Sequence, residues 1–152
     1  MAEALAVASS VSGLLSLAIT VADASFRYIS NVRNASSAIQ AYFRELSALK
    51  KVLVQIDDLT HNPEIRYSLP RGQLFLQTVA GVDECCKELE RLRQKLQKRT
   101  AGNAFSTSFN RLSWPFAEEE TRGIVETLHR YRGIFQTTLS ADGLYVLLIF
   151  FP

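Results

Sequence analysis

Residues 4–22 read ALAVASSVSGLLSLAITVA, and no charged side chain falls between Glu3 and Asp23. Small residues alternate there with Leu5, Val7, Val11, Leu14, Leu15, Leu17, Ile19 and Val21. As a helix the run extends about 28 Å at roughly 1.5 Å per residue, near the ~30 Å hydrocarbon thickness of a bilayer. Three readings compete for it. A secretory signal needs a positive leader, and the only charge before the apolar run is Glu3, although Ala22-Asp23-Ala24 mimics a cleavage site. A constitutive transmembrane span needs about 20 mostly apolar residues, and Ser9, Ser10, Ser12, Gly13, Ser16 and Thr20 make this one marginal. A buried helix of a soluble bundle accounts for the small residues as close-packing positions. A fourth possibility joins two of these: packed at rest, membrane-entering when released. Ser9 with Gly13, and Ser12 with Ser16, are small pairs four apart that let helices approach closely in lipid.

The rest of the chain supplies the bundle. From about 36 to 59, Ile39, Tyr42, Leu46, Leu49, Leu53 and Ile56 are spaced 3, 4, 3, 4, 3, with Phe43 and Val52 widening the stripe. Ser36 or Ser37 caps its start. HNPEIRYSLPRG (61–72) breaks the pattern with two prolines and a glycine. From about 73 to 98, Phe75, Thr78, Val82, Cys85, Leu89, Leu92 and Leu96 keep the same rhythm. The loop TAGNAFSTSFNRLS (100–113) carries Phe105 and Phe109, expected against the bundle end. The fourth helix is announced by Ser113-Trp114-Pro115-Phe116 and then Glu118, Glu119 and Glu120, with proline and acids in the first turn. It spans about 115–142 through Ile124, Leu128, Tyr131, Phe135 and Thr138, and Asp142-Gly143 marks its expected end. With a first helix over about 2–31, these seams specify an all-α, up-down four-helix bundle with a hydrophobic N-terminal helix.

The length of 152 residues fits one domain, and 47% hydrophobic with 21% charged residues is a globular balance. A net charge of +2 gives no global pull on nucleic acid, and the basic patches lack interleaved aromatics. Cys85 and Cys86 are adjacent and point about 100° apart on a helix, which suits one core thiol and one boundary thiol in a reducing compartment. Lys87, Arg91, Lys95 and Arg99 crowd the end of the third helix, where cations suit the dipole. They are secondarily candidate contacts for anionic lipid.

Catalytic chemistry finds little support. No phosphate-cradling G-x-x-x-x-G-K-[ST] occurs. Glu126 and His129 have the E-x-x-H spacing of di-metal bundles, but no second pair accompanies them. Asp57 and His61 make too few ligands for zinc. The expectation is no enzyme, no metal and no cofactor.

The opening MAEALAVASSVSGLLSLAITVADA, the run FRELSALKKVLVQIDDL (43–59) and above all RLSWPFAEEETRGIVETLHRYRGIFQTTLSAD (111–142) resemble the fungal HeLo-like N-terminal domain. That domain stands at the front of NACHT/STAND-type immune receptors and ankyrin-repeat proteins. The resemblance covers about residues 1–142 and implies a cell-death-executing bundle in heterokaryon incompatibility and innate immunity. It implies a protein cytoplasmic at rest that self-associates, releases Ala4–Ala22 and permeabilises the plasma membrane. Its implied partners are membrane lipids, further copies, and related receptors or amyloid-signalling proteins; nucleic acid is not among them. The membrane-inserting residues carried over by position are Leu5, Val7, Val11, Gly13, Leu14, Leu15, Leu17, Ile19 and Val21. Family members continue into nucleotide-binding, repeat or amyloid segments, whereas this chain ends in the apolar tail 143–152 (GLYVLLIFFP). An isolated domain or short form acting as a decoy regulator, or a soluble adaptor bundle, is the alternative expectation.

Overall fold

Each apolar seam finds its place in a bundle of four helices. The computed structural model describes the backbone of residues 2–29, 32–61, 73–102 and 114–150, and the side chains of 11–29, 33–58, 80–97 and 114–140. The helices are α1 (Ala2–Phe26), α2 (Ser37–His61), α3 (Gln73–Gly102) and α4 (Glu118–Phe150), with a 3-10 turn at Val32–Asn34. No strand occurs among the described residues.

The described heptad positions line the core, with Ile39 only partly buried at its edge. Tyr42, Leu46, Leu49, Leu53 and Ile56 of α2, Val82, Cys85, Leu89, Leu92 and Leu96 of α3, and Ile124, Leu128, Tyr131 and Phe135 of α4 lie in one core with Val11, Leu14, Ala18 and Val21 of α1. Fully burying one such large aliphatic side chain contributes about 1.5–3 kcal/mol. Phe75 and Thr78 lie outside the described side chains, as do Phe105 and Phe109.

Side-chain pairs give the directions. Ser12 meets Asp57, and Phe26 meets Phe43, so α1 and α2 run antiparallel. Tyr28, just after α1, reaches Leu96 near the end of α3, so those two run parallel. Gly81 faces Phe135 while Lys95 meets Glu120, so α3 and α4 are antiparallel. Direction therefore alternates along the chain, up-down-up-down. The ring order is nevertheless α1-α2-α4-α3: α1 touches α2 and α3, α4 touches α2 and more loosely α3. Both α1 with α4 and α2 with α3 sit across diagonals.

Helix ends differ from the sequence expectation in four places. α1 stops at Phe26, not near 31, because the chain tightens there. The amides of Tyr28 and Ile29 donate to Ser25 O and Phe26 O, and Tyr28 turns inward. α3 continues past 98 to Gly102. α4 begins at Glu118, three residues after the expected 115, since Trp114 and Phe116 are drawn into an aromatic cluster before the helix starts. Ala117 O accepts the Thr121 amide at 2.8 Å as the first bond of α4. At the far end α4 does not stop at Asp142 but runs through Gly143 to Phe150, so residues 143–150 are helix rather than a separate tail. One helical glycine costs about 1 kcal/mol, too little to break a helix whose next proline is Pro152. The α2 start matches its capping signal: the Ile39 amide donates to Ser36 Oγ at 3.4 Å.

Candidate functional site

α1 is the element whose composition sets it apart, and its packing defines the site. It lies between α2 and α3. Val11, Leu14 and Val21 are 1%, 0% and 0% exposed. Leu15 and Leu17 are half-buried against the core. Gly13, Ser16, Ile19 and Thr20 face solvent. Thus from residue 11 to residue 22 α1 is uncharged on its outward face as well as its inward one, and the exposed Asp23 follows directly. The outward faces of its neighbours carry Lys50 and Lys51 on α2, and Glu84 and Lys87 on α3. The side chains of Leu5 and Val7 lie outside the described residues. Among the described residues no helix is long and apolar enough to cross a membrane.

The polar ties on α1 follow from burial. Ser12 donates to Asp57 Oδ1 at 2.7 Å. Ser25, fully buried, donates to the Val21 carbonyl at 2.7 Å, so its oxygen is left to accept the Tyr42 hydroxyl, also at 2.7 Å. Burial pushes the Tyr42 phenol up to about 12, only partly opposed by that hydrogen bond. The Tyr28 hydroxyl donates to the Leu96 carbonyl. Around these polar groups sits an aromatic cluster. Phe26 stacks on Phe43 at 4.7 Å, and Trp114 meets Tyr42 at 5.1 Å, Phe116 at 5.5 Å and Tyr28 at 6.3 Å, edge to face. Trp114 Nε1 donates to Thr121 Oγ1, whose own proton goes to the Ala117 carbonyl. No buried side-chain nitrogen or oxygen among the described residues lacks a partner.

The sequence marked Trp114-Pro115-Phe116 as a helix start but gave no sign that it closes over the end of α1. Nor did any spacing announce Ser12–Asp57 or Ser25–Tyr42, pairs 45 and 17 residues apart. The one usable signal was a serine run in an otherwise apolar helix, since buried hydroxyls need partners.

The cations of α3 whose side chains are described occur in ion pairs. Lys87 pairs with Asp83 at 3.2 Å, Arg91 with Glu88 at 2.7 Å and Glu120 at 3.7 Å, and Lys95 with Glu120. Lys95 also lies 5.5 Å over the Phe116 ring. The Lys95 hydrogen bond is the main reason that the Glu120 carboxyl sits below its usual range. These carboxylates weaken the field the face offers to an anionic surface. Arg99 lies outside the described side chains. A shallow groove of about 480 Å³ opens between α1 and α3, with Leu17 and Cys86 at its base and Asp83, Lys87, Glu90 and Arg91 around it.

The E-x-x-H pair does not converge. His129 Nδ1 instead lies 3.0 Å from Glu45 Oε1, and Arg132 Nε donates to Glu45 Oε2 at 2.8 Å. Burial raises the Glu45 carboxyl, but Arg132 and His129 together outweigh that and hold it below the usual value. Cys85 is buried and Cys86 half-buried, both as free thiols. Burial, with Cys86 and Glu88 nearby, pushes Cys85 up to about 12, so it is a core thiol and no nucleophile. Among the described residues no three metal-ligating side chains cluster.

No curated protein and no solved structure matches the chain. The family model described as pigment biosynthesis cluster protein PigL N-terminal matches residues 2–144, nearly the whole sequence. With a match of that extent, the chain belongs to the PigL N-terminal family, a family of fungal helical domains.

Proposed function

We propose that this bundle is a membrane-permeabilising effector of the HeLo-like, cell-death-inducing kind, cytoplasmic at rest, which acts at the plasma membrane by releasing α1. The observation that supports the reading is the uncharged outward face of α1 over residues 11–22. A helix serving only as core has no reason to lack charge where it meets water. A helix that enters lipid does, because a charge at the bilayer centre costs several kcal/mol. Ser9, Ser12, Ser16 and Thr20 make a lone span poor, so the released helices associate, their hydroxyls finding partners on other copies. Lipid attraction falls mainly to α1, since Lys87, Arg91 and Lys95 are already paired.

Dye leakage from anionic vesicles tests this. Ile19→Glu places a carboxylate on the outward face, where Ile19 is 38% exposed. Leakage by the parent and its loss in an equally stable Ile19→Glu protein is the expected result. Leakage unaffected by the new charge, or none from the folded parent, sinks the reading.

A second reading, a soluble adaptor or decoy bundle, draws support from the burial of Val11, Leu14, Ala18 and Val21. On that reading Ile19→Glu changes neither stability nor lipid behaviour, and removing residues 1–22 unfolds the remainder.

A further inference from the structure

Among the described residues, the large hydrophobic side chains left exposed are Phe26 at 54% and Ile19 and Val54 at 38% each. All three lie along the outer seam between α1 and α2. Ser12, Ile19 and Phe26 are seven apart and share one stripe of α1. Both ends of that stripe touch α2, Ser12 at Asp57 and Phe26 at Phe43. Phe43, Lys50 and Asp57 are likewise seven apart, so Ile19 stands opposite Lys50, and Val54 follows one turn later. Phe26 to Ile19 spans about 10.5 Å, and Val54 lies about 6 Å further on.

The charges beside this seam differ from those elsewhere on the bundle. Lys50 stands in it, and the exposed Arg44 and Lys51 crown α2 next to it. No Asp or Glu lies three or four residues to either side of these cations, so α2 offers them no intrahelical partner. Among the described residues none of the three forms an ion pair, whereas every described cation of α3 does. On the α1 side the exposed residue is Asp23.

We infer that the α1–α2 seam of the closed bundle docks an amphipathic helix of a partner protein, one whose apolar stripe is edged by carboxylates on the α2 side. The apolar strip is about three helical turns long, the reach of one helix face with anchors at i, i+4, i+7 and i+11. The three unpaired cations call for an acidic edge, and Asp23 steers that edge away from α1. A flat anionic surface fits less well: Ile19 and Val54 are partly recessed between the helices, and the exposed Asp23 and Asp58 would face it. So short a strip belongs with small, transient interfaces. The inference concerns α1 in place and does not depend on the membrane reading.

Fluorescence anisotropy on the full chain tests it with two fluorescein-labelled, stapled helical peptides. Both carry leucines at i, i+4, i+7 and i+11; one has glutamates along the edge of the stripe, the other lysines. The acidic peptide is expected to bind with a Kd of about 10–100 μM, the range of small interfaces, and at least tenfold tighter than the basic one. Added salt weakens it several-fold. Lys50→Glu with Lys51→Glu changes two exposed side chains and spares the core; it is expected to weaken the acidic peptide at least tenfold and to reverse the preference toward the basic one. Equal binding of both peptides, no binding of the acidic one at about 1 mM, or an unchanged preference in the charge-reversed protein overturns the inference. So does flotation with phosphatidylserine vesicles that needs Lys50 and Lys51 while the acidic peptide stays unbound, which assigns the seam to lipid. Sedimentation showing a dimer that the charge reversal dissociates, again with the peptide unbound, assigns it to a second copy and overturns it equally.

Discussion

Truncating the apolar side chains of α1 one at a time separates its structural role from its composition. Leu14 is 0% exposed in the core. Leu14→Ala removes about three methylene equivalents, near 2.4 kcal/mol of transfer free energy at about 0.8 each. The cavity between α2 and α3 adds to that, for a total of about 3 kcal/mol or somewhat more. Leu17 is half-buried on the groove side. The space it vacates opens to water, so Leu17→Ala costs about 1 kcal/mol, the transfer term alone at partial burial. Ile19 is more exposed still, and Ala gains up to about 0.5 kcal/mol of helix propensity over it, leaving a net cost of about 0.5 kcal/mol. Urea unfolding read by far-ultraviolet circular dichroism and by the fluorescence of the single tryptophan, Trp114, gives all three on one scale. The expected order is Leu14, then Leu17, then Ile19, with unchanged denaturant slopes. A Leu14→Ala cost below about 1 kcal/mol, or an Ile19→Ala cost equal to it, would refute the docking register of α1.

Four further outcomes follow from the same geometry. Ser25→Ala strands the buried Tyr42 hydroxyl and costs about 2 kcal/mol, whereas Tyr42→Phe leaves Ser25 bonded to Val21 O and costs about 1 kcal/mol; paired urea titrations give the asymmetry. Gly13→Ala, Gly123→Ala and Gly133→Ala meet no atom within 4 Å, so each stabilises by about 0.5–1 kcal/mol, read as a raised thermal midpoint. The Glu45 carboxyl lies below its usual 4.5 in the fold, so its stabilisation is present above that value and is lost as pH falls through the folded one. Glu45→Gln removes about 1 kcal/mol or less at neutral pH for so screened a pair and flattens that acid limb. At the alkaline end, Cys85 rises from 9.0 and Tyr42 from 10.0, each to about 12. Their contribution is complete below pH 9 and is lost progressively between 9 and 12; Tyr42→Phe removes only the upper part of that loss in urea midpoints measured against pH.

The core was legible because burial and heptad spacing are the same information. Every described seam residue of α3, from Val82 to Leu96, is buried, and nothing but a 3, 4 rhythm was needed to find it. Ring order was not legible, since three seams with one rhythm do not say which faces which. The ends misled where a local signal met a tertiary one. Pro115 marks a helix start by backbone rules, yet Trp114 packs against Tyr42 and Tyr28, and Phe116 against Trp114, before the helix begins at Glu118. Gly143 read as a stop, but a single glycine is a weak penalty beside the apolar helix-compatible residues after it. The Ser12–Asp57 and Ser25–Tyr42 pairs were invisible for another reason. A hydroxyl announces that it needs a partner, not where the fold will bring one.

The charge distribution bears most directly on function. A bundle helix ordinarily carries charge on its solvent face, because that face needs solubility and gains from pairs three or four residues apart. α3 does this fully, with Lys87–Asp83, Arg91–Glu88 and Arg93–Glu90. α4 adds Arg122–Glu118 in its first turn. Over residues 11–22 α1 forgoes every such pair, and its polar contacts are hydroxyl hydrogen bonds, Ser12 to Asp57 and Thr20 to the Ser16 carbonyl at 3.0 Å. Packing alone does not demand that, since the inward face would be as well buried with lysines on the outside. The absence of charge lowers the cost of moving the helix from water to an apolar environment by several kcal/mol for each charge not carried. It leaves the docked state held by burial and by hydrogen bonds that dissolve without stranding an ion. Over residues 11–22 such a helix carries no charge to oppose its transfer into lipid, and on the proposed reading Ile19→Glu is the smallest change that puts one on its outward face.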